Sequence, residues 1–283
     1  MDKDFFRLET RHFRIEGRSR AGHETWFRIR DLGLALDIGR CPDPVVPMSN
    51  VFISHLHLDH AAGLAFWAGQ RRLQGLEGGT VHVPGEVAAD VRRLLALQET
   101  LTGATFEVEV RGLDAGEEVR VGRKHLVRAH AASHRVAARA FEVIELRHHL
   151  RPELAGQPPG VIARLRREGE PVEEEHPSPL LFYTGDTDRG IFSVGRAMFQ
   201  AEVLMIECSF LGEGHQERAT RYRHIHVDDI AEHASEFENE MIVLTHFSRR
   251  YSFDEIRRLA RRRLPVSLQS RVRLALPEGW QEL

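Results

Sequence analysis

The stretch Ser54-His55-Leu56-His57-Leu58-Asp59-His60 crowds three histidines and an aspartate into a few consecutive residues. It follows the apolar run Val51-Phe52-Ile53 and precedes Ala61-Ala62-Gly63-Leu64, the pattern of a buried strand, a tight loop and a helix start. Imidazoles and carboxylates are natural donors for zinc and similar divalent ions. A loop at a strand's end can aim all of them into one pocket while rigid elements hold its two ends. The spacing places His55 and His57 on one ion, with Asp59 and His60 facing a second. A histidine-rich solvent loop is the alternative, but an apolar strand would not deliver a random polar cluster so abruptly.

The chain of 283 residues, 42% hydrophobic, is long enough to bury a substantial core and reads as one domain over 1–283. Its net charge of −3 excludes a global basic footprint for nucleic acid, although a local patch remains open. No apolar run approaches the roughly 18 to 20 residues of a membrane helix. The start, Met1-Asp2-Lys3-Asp4, is charged and leads into no apolar signal core. Cys41 and Cys208 form no close-spaced metal motif. The expectation is a cytoplasmic, reduced protein with no membrane partner.

The pattern His-x-His-x-Asp-His resembles the metallo-β-lactamase fold, an α/β architecture in which two mixed sheets form an αββα sandwich flanked by helices. Further segments suit it. Phe13 to Gly17 and Glu24 to Arg30 read as strands, and Leu34 to Gly39 as an apolar strand ending in Asp37-x-Gly39. In that fold such an aspartate hydrogen-bonds the metal loop; a plain turn residue is the equal alternative. Helical spacing of Val87, Val91, Leu94, Leu95 and Leu97 predicts a helix over 87–100, and alternation predicts a strand over 106–110. His134 follows a strand pattern where the fold places its next ligand, with His130 as competitor. Leu180 to Thr187 is a buried strand ending in Asp186, Val203 to Cys208 ends in Glu207, and Met241 to Phe247 ends in His246. The ligand set is then His55, His57 and His134 on one ion, Asp59, His60 and His246 on the other, and Asp186 bridging. Two zinc ions per subunit, with Mn2+ or Fe2+ as substitutes, roughly 3.5 to 4 Å apart, would activate a water to hydroxide and stabilise a phosphoryl displacement. Asp59 would orient that water. Di-iron oxidoreductases on this scaffold replace the motif's second histidine with glutamate; His57 is retained here, which favours hydrolysis.

Further motifs are Gly22-His23-Glu24-Thr25-Trp26, Asp37-Ile38-Gly39-Arg40-Cys41-Pro42, Thr184-Gly185-Asp186-Thr187, Glu207-Cys208-Ser209-Phe210-Leu211, His224-Ile225-His226, Phe237-Glu238-Asn239 and Leu244-Thr245-His246-Phe247-Ser248-Arg249-Arg250-Tyr251. Through them nearly the whole chain resembles ribonuclease Z, the tRNA 3′-processing endonuclease, most of all its plant-type short form. The resemblance implies that His224, held by Glu207, donates a proton to the leaving 3′ oxygen. His226 is the alternative donor, or a satisfied helix-entry residue. It also implies that Ser248 and Arg250 contact substrate. Residues 146–179 depart in character, with Pro158-Pro159-Gly160, Arg164-Leu165-Arg166-Arg167 and Glu173-Glu174-Glu175, and show no strand pattern. They sit where the family carries a flexible arm, so Arg164, Arg166 and Arg167 would contact tRNA phosphates without reading sequence. Family members are homodimers in which one subunit's arm serves the other's cleft. The resemblance implies a metal-dependent phosphodiesterase cutting precursor tRNA after the discriminator base. A small-substrate phosphodiesterase, lactonase or thioesterase on the same fold is the runner-up, and a non-catalytic RNA-binding module the third reading.

Overall fold

The computed structural model describes residues 5–283; the charged leader Met1 to Asp4 lies outside them. Two seven-stranded sheets face each other. The first holds β1 (Phe6–Glu9), β2 (Arg14–Arg20), β3 (Glu24–Ile29), β4 (Leu34–Ile38), β5 (Asn50–Phe52), β6 (Thr80–Pro84) and β7 (Glu109–Leu113) in that spatial order. The second holds β8 (Glu118–Val121), β9 (His125–Ala131), β10 (Arg139–Leu150), β11 (Glu173–Tyr183), β12 (Val203–Glu207), β13 (Met241–Thr245) and β14 (Val272–Leu274), again in sequential order. Each half of the chain thus builds one sheet. Antiparallel strands β1 to β4 and β8 to β11 give way to parallel strands β4 to β7 and β11 to β14.

The parallel strands are apolar on both faces because both are covered. In β12, Val203 and Met205 join Phe27, Phe141 and Tyr183 between the sheets. Leu204 and Ile206 point outward instead, into a layer with Ile230, Ile256 and Ala260. The first sheet's outer face packs Ala35, Val51 and Val81 against Leu64, Trp67, Val91 and Leu95, carried by helices α2 (Leu64–Leu73) and α3 (Ala88–Thr102), with Ala61 of α1 (Leu58–Ala61) beside them. The second sheet's outer layer is built by α5 (Ala197–Gln200), α6 (Gln216–Tyr222), α7 (Val227–Glu232) and α8 (Phe253–Arg263), after α4 (Pro159–Arg167) in the segment between β10 and β11. Each fully buried large apolar side chain contributes about 1.5–3 kcal/mol. The result is the expected αββα sandwich.

Three local expectations are corrected. The strand placed at 106–110 begins only at Glu109; Phe106 and Val108 precede it and pack from a loop against the α2 and α3 layer. On α3, Val91 and Leu95 are buried, whereas Leu94 and Leu97 are exposed, so the apolar stripe is narrower than the spacing suggests. The segment 146–179 is not free of strands. β10 runs on to Leu150 and β11 starts at Glu173, and their ladder pairs His148 with Glu175 and His149 with Glu174. Both faces of this hairpin are largely solvated, so no alternation marks it in the sequence. Cys41 and Cys208 are both buried and free, in different layers of the core.

Candidate metal centre

Strand ends deliver the polar groups. Asp37 lies at the end of β4, the 53–57 loop leaves β5, and His134 lies in the loop from β9 to β10. Asp186 follows β11, Glu207 closes β12, and His246 follows β13. These donors occupy one edge of the sandwich, where parallel strands of an α/β sheet open a crevice.

Asp37 has left-handed backbone, φ +53°, and lies fully buried. Its carboxylate accepts the Ser54 N–H at 2.7 Å, the Ser54 hydroxyl at 2.8 Å, His60 Nδ1 at 2.7 Å and the Tyr183 hydroxyl at 2.6 Å. Those four donors explain how a non-glycine residue stays in a costly backbone region, and they rule against the plain-turn reading. Gly63 is needed for close approach: a Cβ there would stand 2.5 Å from the Cys41 nitrogen. Its N–H donates to the Gly39 carbonyl at 2.8 Å, which ties the helix after the metal loop to the loop after β4.

The side chains converge in overlapping groups. His55, His57, His134 and Asp186 each offer a donor atom within one cluster, Asp59, His60 and His246 form another, and Asp186 and His246 also come together with His224. His57 Nδ1 lies 2.9 Å from His55 Nε2 and 3.3 Å from His134 Nε2. His246 Nε2 lies 3.3 Å from His60 Nε2 and 3.4 Å from Asp59 Oδ2. Asp186 stands between the groups, with Oδ1 3.4 Å from His60 Nε2 and Oδ2 3.2 Å from His246 Nε2 and 3.7 Å from His55 Nε2. Ring nitrogens this close need either a proton or a metal ion between them. Donors bonded to one tetrahedral zinc at about 2.0–2.1 Å would sit roughly 3.3 Å apart, so the spacing and the donor chemistry fit such ions.

The other ring nitrogens of His55, His134 and His246 are spoken for. His55 Nδ1 faces the Ser54 hydroxyl at 3.1 Å, which itself donates to Asp37. His246 Nδ1 faces the Ser209 hydroxyl at 2.9 Å, which donates to Glu207 at 2.8 Å. His134 Nδ1 donates to the Arg223 carbonyl at 3.1 Å. Such partners fix tautomer and ring orientation. Sequence reasoning gave no role to Ser209, Arg223 or Tyr183; the signal for Ser209 was its place in the motif that begins at Glu207.

Charge follows this geometry. Burial pushes the His55 imidazole down, well below its usual range, and His60 adds to that. Burial also opposes charge on His60, but Asp186 and Asp37 outweigh it and hold His60 well above its usual range. Burial opposes the Asp186 carboxylate likewise, and His246 and His60 outweigh it.

His224 sits beside this cluster. Its Nδ1 meets Glu207 Oε1 at 2.7 Å, and its ring stacks on His246 with centroids 5.3 Å apart. Glu207 is fully buried and also accepts the Thr187 N–H at 3.0 Å. His226 is elsewhere occupied: Nδ1 accepts the Asp228 N–H as the cap of α7, and Nε2 donates to the Gly212 carbonyl. His130 pairs with Glu142 at 2.8 Å, away from the cluster. Ser248 and Arg250 line a cavity of about 270 Å³ with His57, His134 and His224, and Arg135 and Tyr222 join its wall. Arg164, Arg166 and Arg167 are not brought there. The Arg139 N–H donates to the Ser54 carbonyl beside the metal loop, and β10 runs from it to Leu150, about 36 Å at 3.3 Å per residue.

The family model for the Beta-lactamase superfamily domain matches residues 34–247. The chain is 33% identical to tRNase Z TRZ1 of Arabidopsis thaliana over 96% of its own length and 98% of that protein. It is 31% identical to the chloroplastic tRNase Z TRZ2 of the same plant, over 97% of its length and 78% of that protein. The crystal structure of human tRNase Z, short form, shares the fold with a TM-score of 0.57 at 18% identity, covering 93% of this chain and 89% of that one.

Proposed function

The chain belongs to the ribonuclease Z family of the β-lactamase superfamily, and on that premise we propose how its residues carry the reaction. It is a metal-dependent endoribonuclease of tRNA 3′ processing. The cut falls on the phosphodiester 3′ of the discriminator base. His55, His57 and His134 would hold one zinc ion, Asp59, His60 and His246 the second, and Asp186 both. When bound, such ions supply Lewis acidity that makes a water nucleophilic at neutral pH and offsets charge on phosphoryl oxygens.

The chain's own groups do the rest. Asp59 accepts the Gly22 N–H at 2.7 Å through Oδ2, which keeps Oδ1 free to orient the attacking water. Glu207 holds His224 by its Nδ1, so Nε2 can present a proton to the departing 3′ oxygen. Ser248 and Arg250 would bind the phosphate near the cut. The observation that carries this assignment is the 2.7 Å contact between His224 and a fully buried Glu207: it commits Nδ1 of a histidine that borders the metal donors Asp186 and His246.

Arg164, Arg166 and Arg167 lie too far along the hairpin to serve their own chain's cavity, which supports an arm that grips tRNA away from the cut, in trans within a homodimer. Leu58, Phe66, Leu73, Leu97 and Leu101 expose apolar surface on α1, α2 and α3, a face a second copy would cover. No helix among the described residues is long and apolar enough to cross a membrane, and we place the enzyme in the cytoplasm.

The test is to incubate zinc-loaded protein with a precursor tRNA carrying a 3′ trailer, beside a His224→Ala variant, and map the cut. Cleavage after the discriminator, slowed about 10²–10⁴-fold in the variant, is expected. Turnover of a simple phosphodiester with no cleavage of precursor tRNA would overturn the reading.

A further inference from the structure

A second cavity, of about 320 Å³, opens beside the metal centre and is walled by Phe6, Arg18, Ser19, Arg20, Arg249 and Phe253. Ser19 is the partition: its hydroxyl accepts the His246 N–H at 2.9 Å. Arg249 and Arg250 are consecutive, yet Arg250 lines the cavity over the metal ligands and Arg249 lines this one. His23 joins the wall, with Arg40 3.3 Å from its Nε2.

Positive charge is poorly answered here. Among the described residues, Glu24 alone pairs with this group, at 3.8 Å from Arg18 and 3.5 Å from Arg40. Arg20 and Arg249 have no carboxylate partner among the described residues. Nor is Arg20 simply solvated. Its guanidinium lies over the Phe253 ring at 5.1 Å, and its Nη1 is buried without an acceptor among the described residues. A buried donor left unmade carries its full desolvation cost. Guanidinium forks match phosphate oxygens in geometry as well as charge.

We propose that Arg18, Arg20 and Arg249 form a phosphate site next to the metal centre, filled by a backbone phosphate of the RNA substrate within a few nucleotides of the cut. The RNA source rests on the ribonuclease reading; the phosphate chemistry does not.

The experiment compares zinc-loaded wild type with an Arg18→Gln/Arg249→Gln double variant and with Arg249→Lys. Three things are measured: KM for precursor tRNA, the salt dependence of its binding, and calorimetric binding of inorganic phosphate. The double variant is expected to raise KM about ten-fold and to lower the salt slope by about 1 for each phosphate it no longer engages. It should also lack a phosphate-binding event that wild type shows in addition to any at the shared metal ions. Arg249→Lys, which keeps the charge, should retain the slope. Unchanged KM, slope and phosphate binding in the double variant would overturn the site. If wild type fails to cut precursor tRNA while the double variant still lacks that phosphate-binding event, the phosphate site stands and the RNA source falls.

Discussion

Asp37 and His60 meet at 2.7 Å, carboxylate oxygen to Nδ1, with neither side chain exposed to solvent. The contact ties the end of β4 to α1, just after the metal loop. The same carboxylate also holds Ser54, whose hydroxyl orients His55, so one buried charge positions candidate ligands of both ions.

Asp37→Asn should therefore weaken metal binding without touching a ligand. The amide cannot accept from His60, Ser54 and Tyr183 together. Removing such outer partners costs about 10–100-fold in affinity. Competition with a chromogenic chelator measures it, and wild-type affinity in the variant would show that these contacts do not bear on metal binding.

His224→Ala should cut the single-turnover rate on precursor tRNA by about 10²–10⁴-fold with metal content intact. Burial lowers the His224 pKa, but the charge and hydrogen bond of Glu207 and the charge of Asp186 outweigh it and push it up to about 9. Divalent cations, when bound, would draw it back down. A proton donor acts only when protonated, so the rate should fall as pH rises through that pKa. Glu207→Gln removes the anion and should move this limb to lower pH. His226→Ala removes the α7 cap instead, costing about 1 kcal/mol of stability. Equal rate decreases in the two histidine variants would argue against the assignment.

His82 stacks on Phe52 with ring centroids 4.2 Å apart and both its nitrogens unpartnered among the described residues. Burial, aided by Arg111, pushes its pKa down to about 4. The unfolded chain, with an ordinary imidazole near 6.5, takes up this proton first. Stability is thus fully present above about 6.5 and declines as pH falls toward 4, by about 3 kcal/mol in total. His82→Phe should flatten that part of the curve. Urea unfolding of both proteins across pH 7.5 to 5 reads the difference, and parallel curves would refute the claim.

Replacing Arg164, Arg166 and Arg167 together by Gln should flatten the dependence of tRNA affinity on salt by about 0.9 for each phosphate no longer neutralised. Filter-binding titrations in rising salt provide the slope. An unchanged slope would mean that α4 engages no phosphate.

What the sequence by itself determined is the set of strand ends. Apolar runs buried on both faces mark β5, β11, β12 and β13, and each run leads to a donor that stands out against it, although the strands read as reaching Thr187 and Phe247 stop at Tyr183 and Thr245. His55, His57, Asp59, His60, Asp186, Glu207 and His246 are legible for that reason. The hairpin of β10 and β11 was not, because its outer residues are solvated on both faces and leave no period to read. Phe106 misled for the opposite reason: it packs from a loop as a strand residue would.

Tertiary structure alone decided what His134 and His246 lean on and how the arginines are shared out. His134 finds its acceptor on Arg223, 89 residues away, and His246 meets Ser19 across 227. No local pattern encodes such pairs, since a backbone carbonyl is the same in every residue. Likewise Arg18, Arg20 and Arg249 are ordinary surface charges in the sequence. Only the closing of β2 against the loop after β13 brings them to one cavity and leaves a buried Arg20 nitrogen without an acceptor among the described residues.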